Sequence, residues 1–339
     1  MRASPPAETA TPPRSTEGLV RKVVIATLLG ALVFAALSFY GNVRELRDNL
    51  DRYAWSHFAA AIGLASANYA LRFLRWQYYL GRVEVSVPAR PSLVVFLAGF
   101  VMSVTPGKVG EVLKSLLLYE SRGISIARTA PIVVAERLTD LIALVFLTSV
   151  GTLAFTEGLP IALGGAVAVL GLWLVCAFRP LGDLAFAVAD RLPLVQRFVP
   201  KLREAYDSMQ ALVRPGPLAL TSVLAIGSWS LECVCLWVIA RGFDGAALGF
   251  LQATFAYSAP TIAGALALMP GGLGVTEAGM TGVLQSLGGP AMTPAVATAI
   301  TMLVRIATLW WAVLLGVFAL GVFRRSEALR TTSSSGPAS

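Results

Sequence analysis

Long apolar runs separated by short polar segments cover most of the chain. An α-helix needs about 20 apolar residues to cross a hydrocarbon core of about 30 Å. Six uninterrupted runs reach or approach that length, and they are 23–40, 54–80, 129–155, 160–178, 217–240 and 293–322. The pattern predicts an all-α, polytopic bundle of six membrane-spanning helices. A cleaved signal peptide is the alternative for the first run.

Two further apolar runs, 92–118 and 249–288, are interrupted near their middle by proline and glycine. The interruptions read Thr105-Pro-Gly-Lys-Val-Gly110 and Met269-Pro-Gly-Gly-Leu-Gly274. Most of the flanking halves are too short to cross a bilayer at about 1.5 Å per residue. We therefore predict two re-entrant helical hairpins, with paired full spans as the alternative.

The distribution of arginine and lysine predicts the topology. The segment 179–214 and the C-terminal end are rich in these residues, and the positive-inside rule assigns both to the cytoplasm, together with the N-terminus. Arginines on either side of 92–118 put both ends of this hairpin inside, whereas 249–288 enters from outside. The Pro-, Ser- and Thr-rich tails 1–20 and 326–339 are predicted to be disordered and cytoplasmic, flanking one transmembrane domain at 21–325.

The two interrupted runs begin related sequence units. Each Pro-Gly cluster is followed by a half-helix with a glutamate, then by a long apolar run with a central arginine. With opposite predicted orientations, the units at about 92–155 and 249–322 form an inverted repeat. In transporters built this way, the substrate site lies near the bilayer midplane, at the broken helices.

Composition supports a membrane protein and argues against other classes. Charged residues make up 14% of the chain, against about a quarter in soluble proteins, and mean hydropathy is +0.72. The net charge of +8 comes from loops and the C-terminus, so it indicates membrane orientation and not nucleic-acid binding. Cys176, Cys233 and Cys235 lie in apolar runs and His57 is the only histidine, so we expect no metal and no cofactor.

Ionisable residues inside the spans are candidate functional residues, because each costs free energy to insert. Glu136 and Asp140 are four residues apart and share a helix face. Arg137 and Arg305 enter from opposite faces to a similar depth, and two guanidinium groups suit a phosphate-bearing ligand. The alternative is a structural ion cluster. Glu232 is expected to bind a proton or cation, to pair with Arg305 or Arg137, or to act in helix packing.

The Pro-Gly breaks supply the remaining candidates. A break exposes the first N–H groups of the next half-helix, which attract anions, although a glycine turn without a ligand is the alternative. The candidate residues at the breaks are Gly107, Lys108, Gly110, Glu111, Lys114, Gly271, Gly272, Gly274 and Glu277. In contrast, Arg72 and Arg75 are interpreted as residues that snorkel to the cytoplasmic surface.

Three motifs resemble a known family. Thr105-Pro-Gly-Lys-Val-Gly-Glu-Val-Leu-Lys114, Ala135-Glu-Arg-Leu-Thr-Asp140 and Pro270-Gly-Gly-Leu-Gly-Val-Thr-Glu277 are similar to the flippase-like membrane family, also named for the transmembrane region of lysylphosphatidylglycerol synthase. The resemblance covers roughly 20–325 and implies re-entrant helices and translocation of lipids between leaflets. The namesake enzymes carry a soluble C-terminal aminoacyl-transfer domain, which does not follow the last apolar run here, so lysyl transfer is not expected.

The function expected from these observations is transport of a lipid, not catalysis. The cargo is an anionic or phosphate-linked lipid, including polyprenyl-linked lipids, in a bacterial-type inner membrane. The expected partners are this lipid and the bilayer, with a homodimer as an open alternative. A membrane glycosyltransferase or other polyprenyl-phosphate-using enzyme is the second hypothesis, and an accessory subunit of an envelope lipid-synthesis complex is the third.

Overall fold

The protein forms a helical bundle. The computed structural model describes residues 28, 30–104, 112–154, 160, 163–164, 166–167, 170 and 208–334, with side chains to 326. All regular elements in these ranges are helices, and no strand occurs among them, as the apolar pattern predicted. Most of the predicted span 160–178, nearly all of the basic segment 179–214 and the N-terminal tail lie outside the described residues.

Eleven α-helices have bounds within the described ranges. In the first half they are α1 (Gly30–Tyr40), α2 (Val43–Asp51), α3 (Trp55–Arg82), α4 (Ala89–Ala98), α5 (Leu113–Arg122) and α6 (Ile126–Gly151). In the second half they are α7 (Pro215–Ala240), α8 (Phe250–Leu266), α9 (Val275–Leu287), α10 (Pro294–Arg305) and α11 (Trp311–Ser334). A short 3-10 turn, Gly99–Met102, continues α4, and a π-helical segment, Ile306–Trp310, joins α10 to α11.

The helices fall into a long and a short group, and the short helices that flank the two breaks are called half-helices here. α7 and the continuous helix Pro294–Ser326 are long and apolar enough to cross a membrane. α3 and α6, with 28 and 26 residues, reach about 42 and 39 Å at about 1.5 Å per residue, but they carry several charges. α4, α5, α8 and α9 have 10, 10, 17 and 13 residues, which is short of a core of about 30 Å.

The half-helices pack in a reciprocal pattern. α4 packs against α5, and α8 packs against α9, so the two helices of each interrupted run lie side by side. In addition, α4 packs against α11, while α8 packs against α6. The first half-helix of each pair therefore contacts the long helix that follows the other pair.

The second break is a run of residues with left-handed backbone. Leu268, Gly271, Gly272 and Gly274 have φ values of 52°, 61°, 70° and 87°. Glycine adopts this region freely, whereas Leu268 is strained there. A methyl group on Gly271 would lie 3.4 Å from the Cα atom of Val104, the last described residue before the first break. The second break thus lies directly against the chain that leads into the first.

The contact between α4 and α11 depends on a glycine. A Cβ atom at Gly316 would lie 2.5 Å from the backbone nitrogen of Val101 and 3.0 Å from the carbonyl carbon of Phe100. Small residues allow this kind of close backbone approach between membrane helices. Gly321, on the same helix, has open space around it.

We predict that Gly316→Ala lowers stability by about 1–3 kcal/mol, because the added methyl group pushes α11 away from α4. Gly321→Ala is the matched control, and it should be neutral or stabilising by up to about 1 kcal/mol because alanine favours the helix. Thermal unfolding in detergent, followed by size-exclusion chromatography, measures both. Equal stability of the two variants would contradict the close packing.

Candidate functional site

A cavity of about 330 Å³ lies inside the bundle, beside the second break. Residues from α3, α6, α7 and α8, from the break, and from the α10–α11 helix line it. Its charged lining residues are Arg72, Arg137, Asp140, Glu232 and Arg305. The rest of the wall is mainly apolar, with hydroxyl groups from several serine, threonine and tyrosine residues. Arg137 and Arg305 therefore line one cavity.

Asp140 gathers three guanidinium groups. Its carboxylate oxygens lie 2.8 Å from Nη2 of Arg75, 3.1 Å from Nη2 of Arg137 and 3.7 Å from Nη2 of Arg72. Arg75 also donates to the hydroxyl of Thr139 at 3.1 Å. Arg75 is only 1% exposed, whereas Arg72 and Arg137 reach the cavity. Asp140 therefore holds in position the two arginines, Arg72 and Arg137, that line the cavity beside it.

The interpretation of Arg72 and Arg75 as snorkelling residues is wrong. Both point into the bundle because Asp140, on α6, provides a carboxylate there. The sequence does contain a signal for this arrangement: Asn68, Arg72 and Arg75 follow one another at helical spacing of four and three residues. That spacing puts three polar side chains on one face of α3, and this face lies against α6 and α7.

Lys114 and Glu136 form a buried ion pair away from the cavity lining. Nζ of Lys114 lies 2.6 Å from Oε2 of Glu136 and 4.6 Å from the ring centroid of Trp76. The aliphatic part of Lys114 runs across Gly99. This ion pair ties the half-helix α5 to the long helix α6. Glu136 and Asp140 lie on one face of α6, as their spacing predicts, but their carboxylates pair with different cations.

Arg305 has its acidic partner on the neighbouring half-helix. Its Nε atom lies 2.5 Å from Oε1 of Glu277, and Nη2 donates to the carbonyl oxygen of Gly271 at 2.6 Å. The other oxygen of Glu277 accepts from the N–H of Gly274 at 2.7 Å. The Glu277 carboxylate thus occupies the start of α9, where the sequence suggested an anionic ligand.

Glu232 lines the cavity without a direct arginine partner among the described residues. Its carboxylate accepts hydrogen bonds from the side-chain amide of Asn68 and the hydroxyl of Tyr257. One turn away on α7, the ring of Trp229 lies under the guanidinium of Arg72 at 4.8 Å. The sequence suggested pairing with Arg305 or Arg137, but the hydrogen-bond partners of Glu232 in the described ranges, Asn68 and Tyr257, are neutral.

The remaining sequence-predicted residues divide into two groups. Gly271 and Gly272 line the cavity, and Gly274 lies next to it at the start of α9. The residues of the first break, Gly107, Lys108, Gly110 and Glu111, lie outside the described residues. Within the described ranges, no group of three His, Cys, Asp or Glu side chains is arranged to hold a metal ion.

Comparison with known proteins places the chain in a family. The family model described as lysylphosphatidylglycerol synthase TM region matches residues 22–316. The chain belongs to this family. Members of the lysylphosphatidylglycerol synthase TM region family are membrane proteins, in agreement with the apolar runs and the helical fold.

Archaeal relatives align over almost the full chain. A UPF0104 membrane protein of Methanothermobacter thermautotrophicus is 25% identical over 335 residues, covering 90% of this chain and 96% of the relative. A second from the same organism is 23% identical, covering 84% and 88%. UPF0104 membrane protein PH1989 of Pyrococcus horikoshii is 23% identical, covering 87% and 95%.

The two arginines on either side of Asp140 should differ in structural importance. Arg75→Ala removes the nearest and most buried of the three cations around Asp140, and the loss of this charged hydrogen bond costs about 1.5–3 kcal/mol. Arg137→Ala should cost less, because its side chain is 26% exposed and Arg75 still contacts Asp140. Thermal unfolding of both variants in detergent measures the difference. A larger loss for Arg137→Ala would show that the roles of the two arginines are reversed.

Proposed function

We propose that this protein moves an anionic or phosphate-linked lipid between the two leaflets of the plasma membrane. The observation that carries the proposal is the cavity, in which three arginines from separate parts of the chain line one chamber with a largely apolar wall. Guanidinium groups bind phosphate oxygens in a bidentate manner. A polar headgroup would sit against the arginines.

The size of the cavity supports a headgroup as the bound part of the cargo. Its volume of about 330 Å³ is at the lower end of ligand pockets, which run from about 300 to 1,000 Å³. It is too small for a whole lipid, so the acyl or prenyl chains would stay in the bilayer. The main barrier to lipid translocation is the free-energy cost of taking a polar headgroup through hydrocarbon. A headgroup that moves through the protein interior, while its chains stay in the bilayer, avoids this cost.

The break between α8 and α9 provides a route for those chains. Leu266, Leu268 and Met269 line the cavity, and they are 59%, 66% and 39% exposed. Exposed apolar side chains are stable where lipid covers them. An opening here would let a headgroup enter from the side while its chains remain in lipid.

The two half-helix pairs would act as the moving parts. In this proposal they are re-entrant hairpins from opposite faces, with both termini cytoplasmic. The second break touches Val104 at the entrance to the first, so motion at one break affects the other. Alternating access by such repeats keeps the binding site fixed while each side opens in turn.

Transport is favoured over transferase chemistry by the state of the carboxylates. Glu136, Asp140 and Glu277 each lie within 2.8 Å of a lysine or arginine nitrogen. The buried carboxylates thus serve to position cations and helices.

A reconstituted assay tests the proposal. Proteoliposomes containing fluorescent phosphatidylglycerol, phosphatidylcholine or polyprenyl phosphate report movement between leaflets through quenching by an impermeant reductant. We expect wild type to move an anionic lipid, and Arg72→Ala and Arg137→Ala to slow it by about tenfold or more, since a hydrogen bond to a charged group contributes about 1.5–3 kcal/mol.

Arg128→Ala is the matched control for these variants. Arg128 pairs with Glu84 at 3.2 Å on the exposed surface, where an ion pair contributes about 0–1 kcal/mol. It should move lipid at the wild-type rate. Unchanged movement in both cavity variants would refute the headgroup role, and formation of product from a sugar donor would indicate a transferase.

Cysteine labelling tests the predicted entry of the hairpins. Arg90 and Tyr119 flank the first pair, and Phe250 and Ser286 flank the second; all four are exposed. With an impermeant maleimide on intact cells, Arg90→Cys and Tyr119→Cys should be protected, whereas Phe250→Cys and Ser286→Cys should react. Reaction of only one member of either pair would mean that the pair crosses the membrane.

A further inference from the structure

A second cavity lies at one end of the bundle, where α4 begins and α5 ends. Its volume is about 240 Å³, and α4, α5 and α11 supply nearly all of its wall. None of the residues that line it also lines the cavity beside the second break. We call it the end groove, and it is a candidate binding site separate from that cavity.

The wall of the end groove changes from polar to apolar with depth. Each of the three helices contributes a polar residue and, four positions away, an apolar one. These pairs are Arg90 and Val94 on α4, Arg122 and Leu118 on α5, and Ser326 and Val322 on α11. Residues four apart lie on one helix face and about 6 Å apart along the axis. Because α4 starts at this end and α5 and α11 run towards it, the apolar residue is the deeper one in all three helices.

Charge is unevenly divided between the two ends of the bundle. The described charged residues at the end that holds the groove are seven arginines and two glutamates, whereas four arginines and four acidic residues lie at the opposite end. The first set is Arg82, Glu84, Arg90, Glu120, Arg122, Arg128, Arg214, Arg324 and Arg325, and the second is Arg44, Glu45, Arg47, Asp48, Asp51, Arg52, Arg241 and Asp244. The positive-inside rule assigns the basic end to the cytoplasm. Basic pockets between helices on this side of a membrane are sites for anionic lipid headgroups.

The two arginines of the end groove are accessible to a ligand. At the same end, Arg128 pairs with Glu84 at 3.2 Å. Among the described side chains, in contrast, no carboxylate lies within 4.0 Å of the guanidinium group of Arg90 or Arg122, and both residues are exposed. A phosphate group would supply the negative charge, and the guanidinium fork binds phosphate through two hydrogen bonds.

We propose that the end groove binds an anionic phospholipid of the cytoplasmic leaflet, with its phosphate at Arg90 and Arg122. Part of an acyl chain lies against the apolar residues Val94, Leu118 and Val322. A free phosphate ion would meet only exposed arginines, whereas a lipid also covers the apolar wall and is concentrated there by the bilayer. The bound lipid joins the half-helix α5 to α4 and α11. This site does not depend on the proposed transport function.

Photo-crosslinking in liposomes tests the site. The protein is reconstituted into phosphatidylcholine vesicles that contain a small fraction of phosphatidylglycerol with a photoreactive acyl chain, and labelled peptides are mapped by mass spectrometry. We expect label on α4, α5 and α11 at the end groove. Arg90→Ala combined with Arg122→Ala should lower this labelling by about tenfold or more, because one arginine near anionic lipid contributes about fivefold in affinity.

Arg128→Ala combined with Arg214→Ala is the matched control. This variant also removes two arginines from the basic end, but neither residue lines the end groove. Its labelling should stay within about twofold of wild type. An equal loss in the two double variants would show that only the general surface charge matters. That result, or equal labelling by photoreactive phosphatidylcholine, would overturn the inference.

A substitution in the apolar wall tests the acyl chain without removing charge. Val322→Trp fills the deep part of the end groove, and loss of contact with even two methylene groups lowers affinity by about tenfold. Val317→Trp, at a residue 49% exposed on the same helix and outside the groove, should leave labelling unchanged. Undiminished labelling in Val322→Trp, or displacement of the lipid by soluble glycerol phosphate, would show that the occupant is not a lipid.

A cavity variant separates this inference from the transport function. Arg72→Ala combined with Arg137→Ala leaves the end groove intact, so its labelling should remain at the wild-type level even where lipid movement is slowed. Loss of groove labelling in this variant would overturn the assignment of a separate site. If wild type moved no lipid but the groove were labelled as expected, the transport function would fail and the end groove would stand.

Discussion

Charge inside an apolar bundle has to be paired, and the positions of the half-helices follow from that requirement. Lys114 on α5 pairs with Glu136 on α6, and Glu277 on α9 pairs with Arg305 at the end of α10. In each half, one buried ion pair joins the half-helix after the break to the long helix that follows it. The signs are reversed between the halves. Breaking either pair would leave an uncompensated ion in a medium where this costs several kcal/mol.

The same interaction builds the cavity. Asp140 holds Arg75 in the interior while Arg72 and Arg137 reach the chamber, so a single carboxylate serves both packing and the arrangement of the cavity arginines. Arg305 is oriented in a similar way by Glu277 and by the carbonyl oxygen of Gly271. Guanidinium groups that are already held in one conformation lose less conformational entropy when they bind an anion than groups that must be ordered on binding. Membership in the lysylphosphatidylglycerol synthase TM region family agrees with a membrane location for this protein.

Sequence patterns predicted those parts of the fold that depend on local rules. Pro270 and the following glycines predicted a break, and the chain does turn there through left-handed residues. The depth of Arg137 and Arg305 in their apolar runs predicted that both would lie in the interior. What sequence could not supply was the identity of partners distant along the chain. Arg75 looked like a surface residue because its partner, Asp140, lies on another helix, and the neutral contacts of Glu232 with Asn68 and Tyr257 join three helices.

The proposed role of the cavity arginines is to bind the headgroup of an anionic lipid. An electron cryomicroscopy structure in nanodiscs that contain phosphatidylglycerol would show whether they do so. We expect a phosphate within hydrogen-bonding distance of Arg72, Arg137 or Arg305, with its chains passing out beside Leu266 and Leu268. An empty or water-filled cavity in this lipid, or equal occupancy by phosphatidylcholine in its place, would rule out this role.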